Sequence, residues 1–236
     1  MDAVESPGGF KFLPTDGPYS AGVMANAGFA IVRVMAPRHT PLDQGFRLVE
    51  QTLREVDRPL AALCAMELRI PKPLSRAGFD EFNRGYIAQF ERWGIKVDGR
   101  MPAARTNVAP ELDPPAEPSL HAFCFTAKVP LVVSRNTFVI AGVAEPPGTT
   151  GGPAACWNAI APLVEERMQS LGVTWDDATE SQFYGTRADH EVFTSTDLAR
   201  LKELTGPGLR WFFARPPIDD LRLEIDVRGL ARESWA

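Results

Sequence analysis

The stretch KVPLVVSRN (128–136) decides how the chain is read, because the order of elements before it returns in outline after it. Upstream, GFAIVRVM (28–35) has the pattern of a short apolar strand. PLDQGFRLVEQTLREV (41–56) then carries Leu42, Phe46, Val49, Leu53 and Val56 at helical spacing, with Pro41 suited to a first turn. AALCAMELRI (61–70) is apolar enough for a buried strand. GFDEFNRGYIAQFERWG (78–94) aligns Phe79, Phe82, Tyr86, Phe90 and Trp93 on one helical stripe and stops at Gly94. Strands ARTNVA (104–109) and SLHAFCFTAKV (119–129) close the series. Downstream the order is TFVIAGVAE (137–145) as strand, CWNAIAPLVEERMQSLG (156–172) as helix, and a strand beginning within WDDATESQFYGTR (175–187). A helix over STDLARLKELTG (195–206) and strands LRWFFARP (209–216) and DLRLEIDVRG (220–229) follow. The pattern predicts a tandem duplication, with α+β units at 1–130 and 131–236, each a mostly antiparallel sheet with two helices on one face. The other face of each sheet then needs a cover, from the other half or from a second copy.

Composition narrows the function classes. Hydrophobic residues at 44% and charged residues at 23% match ordinary globular domains, which excludes a disordered or fibrous chain. A net charge of −5 with scattered arginines gives no basic stripe for a nucleic-acid backbone. No apolar run reaches the roughly 18–20 residues of a membrane-spanning helix, and MDAVESPGGF lacks the basic start and apolar core of a leader, so a cytoplasmic location is expected. The 3 cysteines lie far apart among apolar neighbours and read as core residues. His39 and His190 have no second ligand at metal spacing, and GTTGGP (148–153) lacks the lysine of a phosphate loop, so neither metal nor cofactor is expected.

Three motifs carry a family resemblance. GPYS (17–20) stands before the first long strand, EFNRGYIAQFERWG (81–94) lies in the second helix, and MPAARTNV (101–108) opens the next strand. Together they resemble the Rid, or YjgF, family of reactive-intermediate deaminases, over about 110 residues of the first half and more weakly across the second. The resemblance implies two chorismate-mutase-like domains, a homotrimer with clefts between subunits, and hydrolysis of an imine, enamine or related C–N bond of a small carboxylated metabolite. It also implies that Tyr19 and Asn83 orient the substrate and that Arg105 binds its carboxylate. A guanidinium suits that task because its planar two-pronged donor set matches a carboxylate.

The same resemblance exposes departures. Arg33, Val34 and Met35 replace a small polar stretch, and Leu120 and His121 stand where a water-ordering acid is expected, leaving His121 as the candidate base. In the second half, Ala141 and Gly142 keep a small pair, Arg210 is a second candidate anion binder, and Glu224 follows it by 14 positions as a candidate acid. Each candidate also has a plainer reading. Tyr19 would pack its ring at a strand entrance, Asn83 would face solvent or hold a loop, and Arg105 would form a surface ion pair. His121 would be a packing residue. Glu224 alternates with Arg222, Asp226 and Arg228 opposite Leu223, Ile225 and Val227, as on a sheet with one wet face. A non-catalytic metabolite-binding or scaffold protein that retains the fold is therefore the alternative to a deaminase.

Overall fold

The computed structural model describes residues 1–129, 135–192 and 208–236. The chain opens with β1 (Val4–Ser6), β2 (Phe10–Leu13) and β3 (Gly22–Ala25), an antiparallel meander absent from the sequence reading. There follow β4 (Phe29–Pro41), α1 (Leu42–Glu55), β5 (Leu63–Arg69), α2 (Arg76–Trp93), β6 (Ala104–Pro110) and β7 (Ser119–Lys128). Then come β8 (Phe138–Ala144), α3 (Pro153–Leu171), β9 (Glu180–Gly185) and the short α4 (Arg187–Val192). β10 (Leu209–Arg215), β11 (Glu224–Gly229) and β12 (Arg232–Trp235) complete the order. The expected helix over 195–206 lies outside the described residues.

Local chemistry sets the helix ends. The Ser75 side chain accepts from the Gly78 backbone N–H and caps α2, and Gly94 at φ 64° ends it in the left-handed turn that glycine adopts without strain. Proline opens α3, where its missing N–H would have had no helical partner. Trp175–Asp177, where the acids were expected to begin a strand or cap a turn, form a 3-10 turn held by a reciprocal Thr174–Asp177 capping box.

Among the described residues, the strands form one sheet in the order β1-β2-β3-β8-β11-β9-β10-β6-β5-β7-β4-β12. This corrects the expectation of two tandem chorismate-mutase-like domains with separate sheets. β10 pairs antiparallel with β6 through Ala214–Pro110 and Arg215–Ala109, β3 pairs with β8, and C-terminal β12 runs back to pair parallel with β4. The physical reason is edge chemistry: β6 and β10 would each leave a row of unpaired backbone groups at the border of a separate sheet, and pairing them satisfies both.

The sheet folds so that one set of faces carries helices and the other set meets. Val49, Leu53, Tyr86 and Phe90 pack with Leu68, Phe123 and Phe125 under α1 and α2. Ile160, Val164 and Met168 of α3 pack on Ile140, Phe183 and Val227. Between the inward faces lie Phe10, Phe12, Ile31, Cys64, Cys124 and Ala141. All three cysteines are buried and free, as expected of core residues. The alternation along β11 is as read, but the polar face is not wet: Glu224 is 2% exposed, and Asp226 and Arg228 are 0% exposed. Packing of strands against strands covers it.

Candidate functional site

Arg105 sits second in β6, on the side of the strand that faces α2. Its guanidinium lies 4.7 Å from the ring centre of Tyr86, 5.3 Å from Phe79 and 5.8 Å from Phe82, all on α2. From the other direction comes the Tyr19 ring, at 4.9 Å. The GPYS segment reaches this place because Ser20 donates its backbone N–H to the Ala103 carbonyl and bridges to Ala104. Gly142 closes the remaining side. With φ at 66° it bulges from β8, and a Cβ there would stand 2.7 Å from the Arg105 carbonyl oxygen, a space only glycine leaves open.

The result is a buried cation without hydrogen-bond acceptors. Arg105 is 2% exposed, and none of its three guanidinium nitrogens has a partner among the described residues. Burial lowers its proton affinity, with Tyr86, Tyr19 and Glu224 acting the other way. Nearby polar atoms are unpartnered too: Asn83 Oδ1 and the Tyr86 hydroxyl on α2, and both side-chain atoms of Asn107, which shares the Arg105 face of β6. Asn83 is four residues past Phe79 and three before Tyr86, and therefore on the same helical face. Native interiors rarely leave so many polar groups unsatisfied in one place.

Glu224 lies within the electrostatic reach of Arg105. Burial and then the neighbouring Asp226 push its carboxyl well above the usual carboxylate range, against the opposing pull of Arg105 and Arg69. Burial thus favours its protonated form, the form able to give a proton. Asp226 differs in being fully engaged: it accepts from Thr106 at 2.6 Å, Tyr184 at 2.9 Å, Arg228 at 2.6 Å and the Gly142 N–H at 2.9 Å. Arg167 of α3 donates to the Ala21 and Ala141 carbonyls, both at 3.3 Å, and burial lowers its proton affinity.

Comparison with known proteins places this arrangement. The family model of 2-aminomuconate deaminase CnbZ matches residues 3–156 and 152–234. A 2-amino-5-chloromuconate deaminase from Comamonas testosteroni is 37% identical over 98% of this chain and 97% of its own. The chain belongs to the CnbZ family. A chorismatase crystal structure superposes over 97% of this chain and 89% of its own, at 14% identity and a TM-score of 0.48.

Membership in the CnbZ family corrects the Rid resemblance. The short motifs GPYS and PAARTNV coincide locally with that other family, whereas the CnbZ model accounts for nearly the whole chain. The trimer and the clefts between subunits rested on the Rid reading and lose that support. Tyr19 and Arg105 meet within one chain.

The structure brings Tyr19, Asn83, Arg105 and Glu224 to one region and leaves two candidates elsewhere. Arg210 on β10 has a side chain 55% exposed and pairs with Glu180 at 3.1 Å, so its charge already has a partner. His121 lies on β7 beside Arg69 and Glu67, where burial and then Arg69 lower its pKa to about 3 and keep the imidazole neutral. Tyr86 and Asn107 were missed. Tyr86 was hidden in an aromatic stripe, and Asn107 was legible only through its spacing of two from Arg105 on one strand. Among the described residues no cluster suited to a metal ion occurs, and no helix is long and apolar enough to cross a membrane.

Proposed function

We propose that the protein is a hydrolytic deaminase of a 2-amino-substituted muconate, a conjugated six-carbon dicarboxylate, and that the Arg105 cluster takes this substrate. The observation that carries the reading is the buried Arg105 guanidinium, unpartnered among the described residues in a chain of the CnbZ family. Its N–H groups suit the carboxylate next to the amino-bearing carbon, and the rings of Tyr19 and Tyr86 offer flat faces to a planar diene. Asn83 and Asn107 supply an amide acceptor and donors for the amino group and the attacking water.

The chemistry follows from the substrate's enamine character. The nitrogen lone pair pushes electrons into the diene while neutral Glu224 gives a proton to carbon, leaving an iminium ion and a carboxylate. That carboxylate takes a proton from water as its oxygen bonds to the iminium carbon. The resulting amino alcohol collapses: nitrogen takes the proton that Glu224 has regained, the C–N bond breaks as ammonia leaves, and the hydroxyl returns its proton to the Glu224 carboxylate as the ketone forms. One water enters and one ammonia leaves, with no oxidant or reductant needed.

The test is ammonia release from 2-aminomuconate, followed alongside the loss of the conjugated chromophore. Wild-type protein is expected to release one ammonia per substrate. Arg105→Gln should lower kcat/KM by about 100-fold or more, since two charge-assisted bonds at about 1.5–3 kcal/mol each are lost. No acceleration by wild type, or an unchanged kcat/KM in the variant, overturns the proposal.

A further inference from the structure

Another buried arginine with an unpartnered nitrogen, Arg69, lines a cavity. Arg69, last in β5, is 9% exposed; its Nη1 donates to the Leu68 carbonyl at 3.0 Å, while Nη2 has no partner among the described residues. The guanidinium rests 5.5 Å from the Tyr184 ring centre. It lines a cavity of about 320 Å³ together with His121 and Ser119, with Met35, Leu120 and Trp235 as apolar walls. That volume is in the range of small-molecule sites. At the mouth, Arg38 and His39 both contact Asp113, the His39 Nε2 at 2.7 Å, so the acid at the rim is already engaged. His39 at φ 55° and Asp113 at φ 50° hold strained left-handed conformations to make this contact.

This cavity is separate from the Arg105 cluster. In the parallel pairing of β5 with β6, Met66 stands beside Arg105 and Arg69 beside Val108. Partners in register share a face, and successive residues alternate. Arg105 thus faces the α2 layer with Met66, whereas Arg69 faces the interior with Val108 and Tyr184. The two guanidinium groups thus leave opposite faces of the β5–β6 pair.

We infer that the Arg69 cavity is a second anion site, which binds a small monocarboxylate with a short apolar stem through the Arg69 guanidinium, the His121 imidazole and the apolar walls. The arginine meets the carboxylate, the imidazole contributes one hydrogen bond without charge, and Leu120, Met35 and the Trp235 ring receive the stem.

The probe is sorbate, a six-carbon unsaturated monocarboxylate, titrated into protein labelled with nitrogen-15 at its 3 histidines. His121 and His39 line the cavity, while His190 packs on Trp211 and Phe213 and serves as internal control. Saturable shifts at His121 and His39, with His190 unmoved, are expected in wild type and equally in Arg105→Gln, where the other cluster is disabled. Arg69→Gln should weaken the binding about tenfold or more. Absence of a saturable shift at His121 overturns the inference, as does an affinity unchanged by Arg69→Gln. Should Arg69→Gln fail to fold, the wild-type and Arg105→Gln titrations still decide. Because both can bind sorbate whether or not ammonia is released, failure here and failure of the deaminase reading are distinguishable.

Discussion

Two regions of this molecule bury arginine, and they treat it in opposite ways. Between the inward strand faces, Arg33 holds Glu67 through both carboxylate oxygens at 2.7 Å and also reaches Glu233. Arg228 binds Asp226 at 2.6 Å, Glu180 at 3.1 Å and Glu67 at 3.2 Å. Each cation there is held by at least two carboxylates, with only the Arg228 Nε left without a partner among the described residues. Around Arg105 the neighbours are aromatic rings and unpartnered amides, and burial pushes the carboxyl of the nearby acid, Glu224, above the usual carboxylate range. The difference separates structural charge from charge held ready for a ligand: a buried ion pair that is complete has nothing left to bind, whereas an incomplete one lowers stability until an anion arrives.

The contrast can be broken most forcefully at Glu67. Burial alone would raise its pKa, but Arg228 and Arg33 overcome that and hold the carboxyl well below the usual range. Glu67→Gln strips a shared partner from two buried cations and should cost about 3–5 kcal/mol in urea unfolding. Arg105→Gln, by comparison, removes an unpartnered charge and should cost little. The sign with pH also follows. A depressed native pKa contributes stability above the unfolded value of 4.5, lost as pH falls below it, so the gap between wild type and Glu67→Gln narrows in acid.

Glu224→Gln sharpens the comparison with a smaller effect of opposite sign. The native pKa of Glu224 is raised, so the native state keeps a proton that the unfolded chain releases above 4.5, and stability falls as pH rises from there. The glutamine variant escapes this loss. It should match wild type near pH 4 and exceed it in stability at pH 7, while losing deamination. Equal stability at both pH values would show that Glu224 is ionised in the native protein.

Much of this was readable in the sequence, and the failures have physical causes. The helix over 78–94 was plain because its aromatic stripe and glycine stop agree. The strands from 28 to 129 were also legible, because their apolar runs end at turn residues. The meander over Val4–Ala25 was missed because its strands are three or four residues long, too short for alternation to register. The joining of β6 to β10 depends on pairing between residues about 100 positions apart, which no local pattern encodes. In the site, Arg105 and Tyr19 were found through short motifs. Burial separated Arg105 from Arg210: both stand at strand starts, yet α2 and the GPYS segment cover one, and Glu180 pairs with the other at the surface.

The most direct measurement is a crystal structure of the protein with trans,trans-muconate, the dicarboxylate that lacks the amino group. The account predicts one carboxylate within hydrogen-bond distance of the Arg105 guanidinium, its chain lying against the rings of Tyr19 and Tyr86. A muconate bound elsewhere, with the Arg105 nitrogens still unpaired, would contradict it.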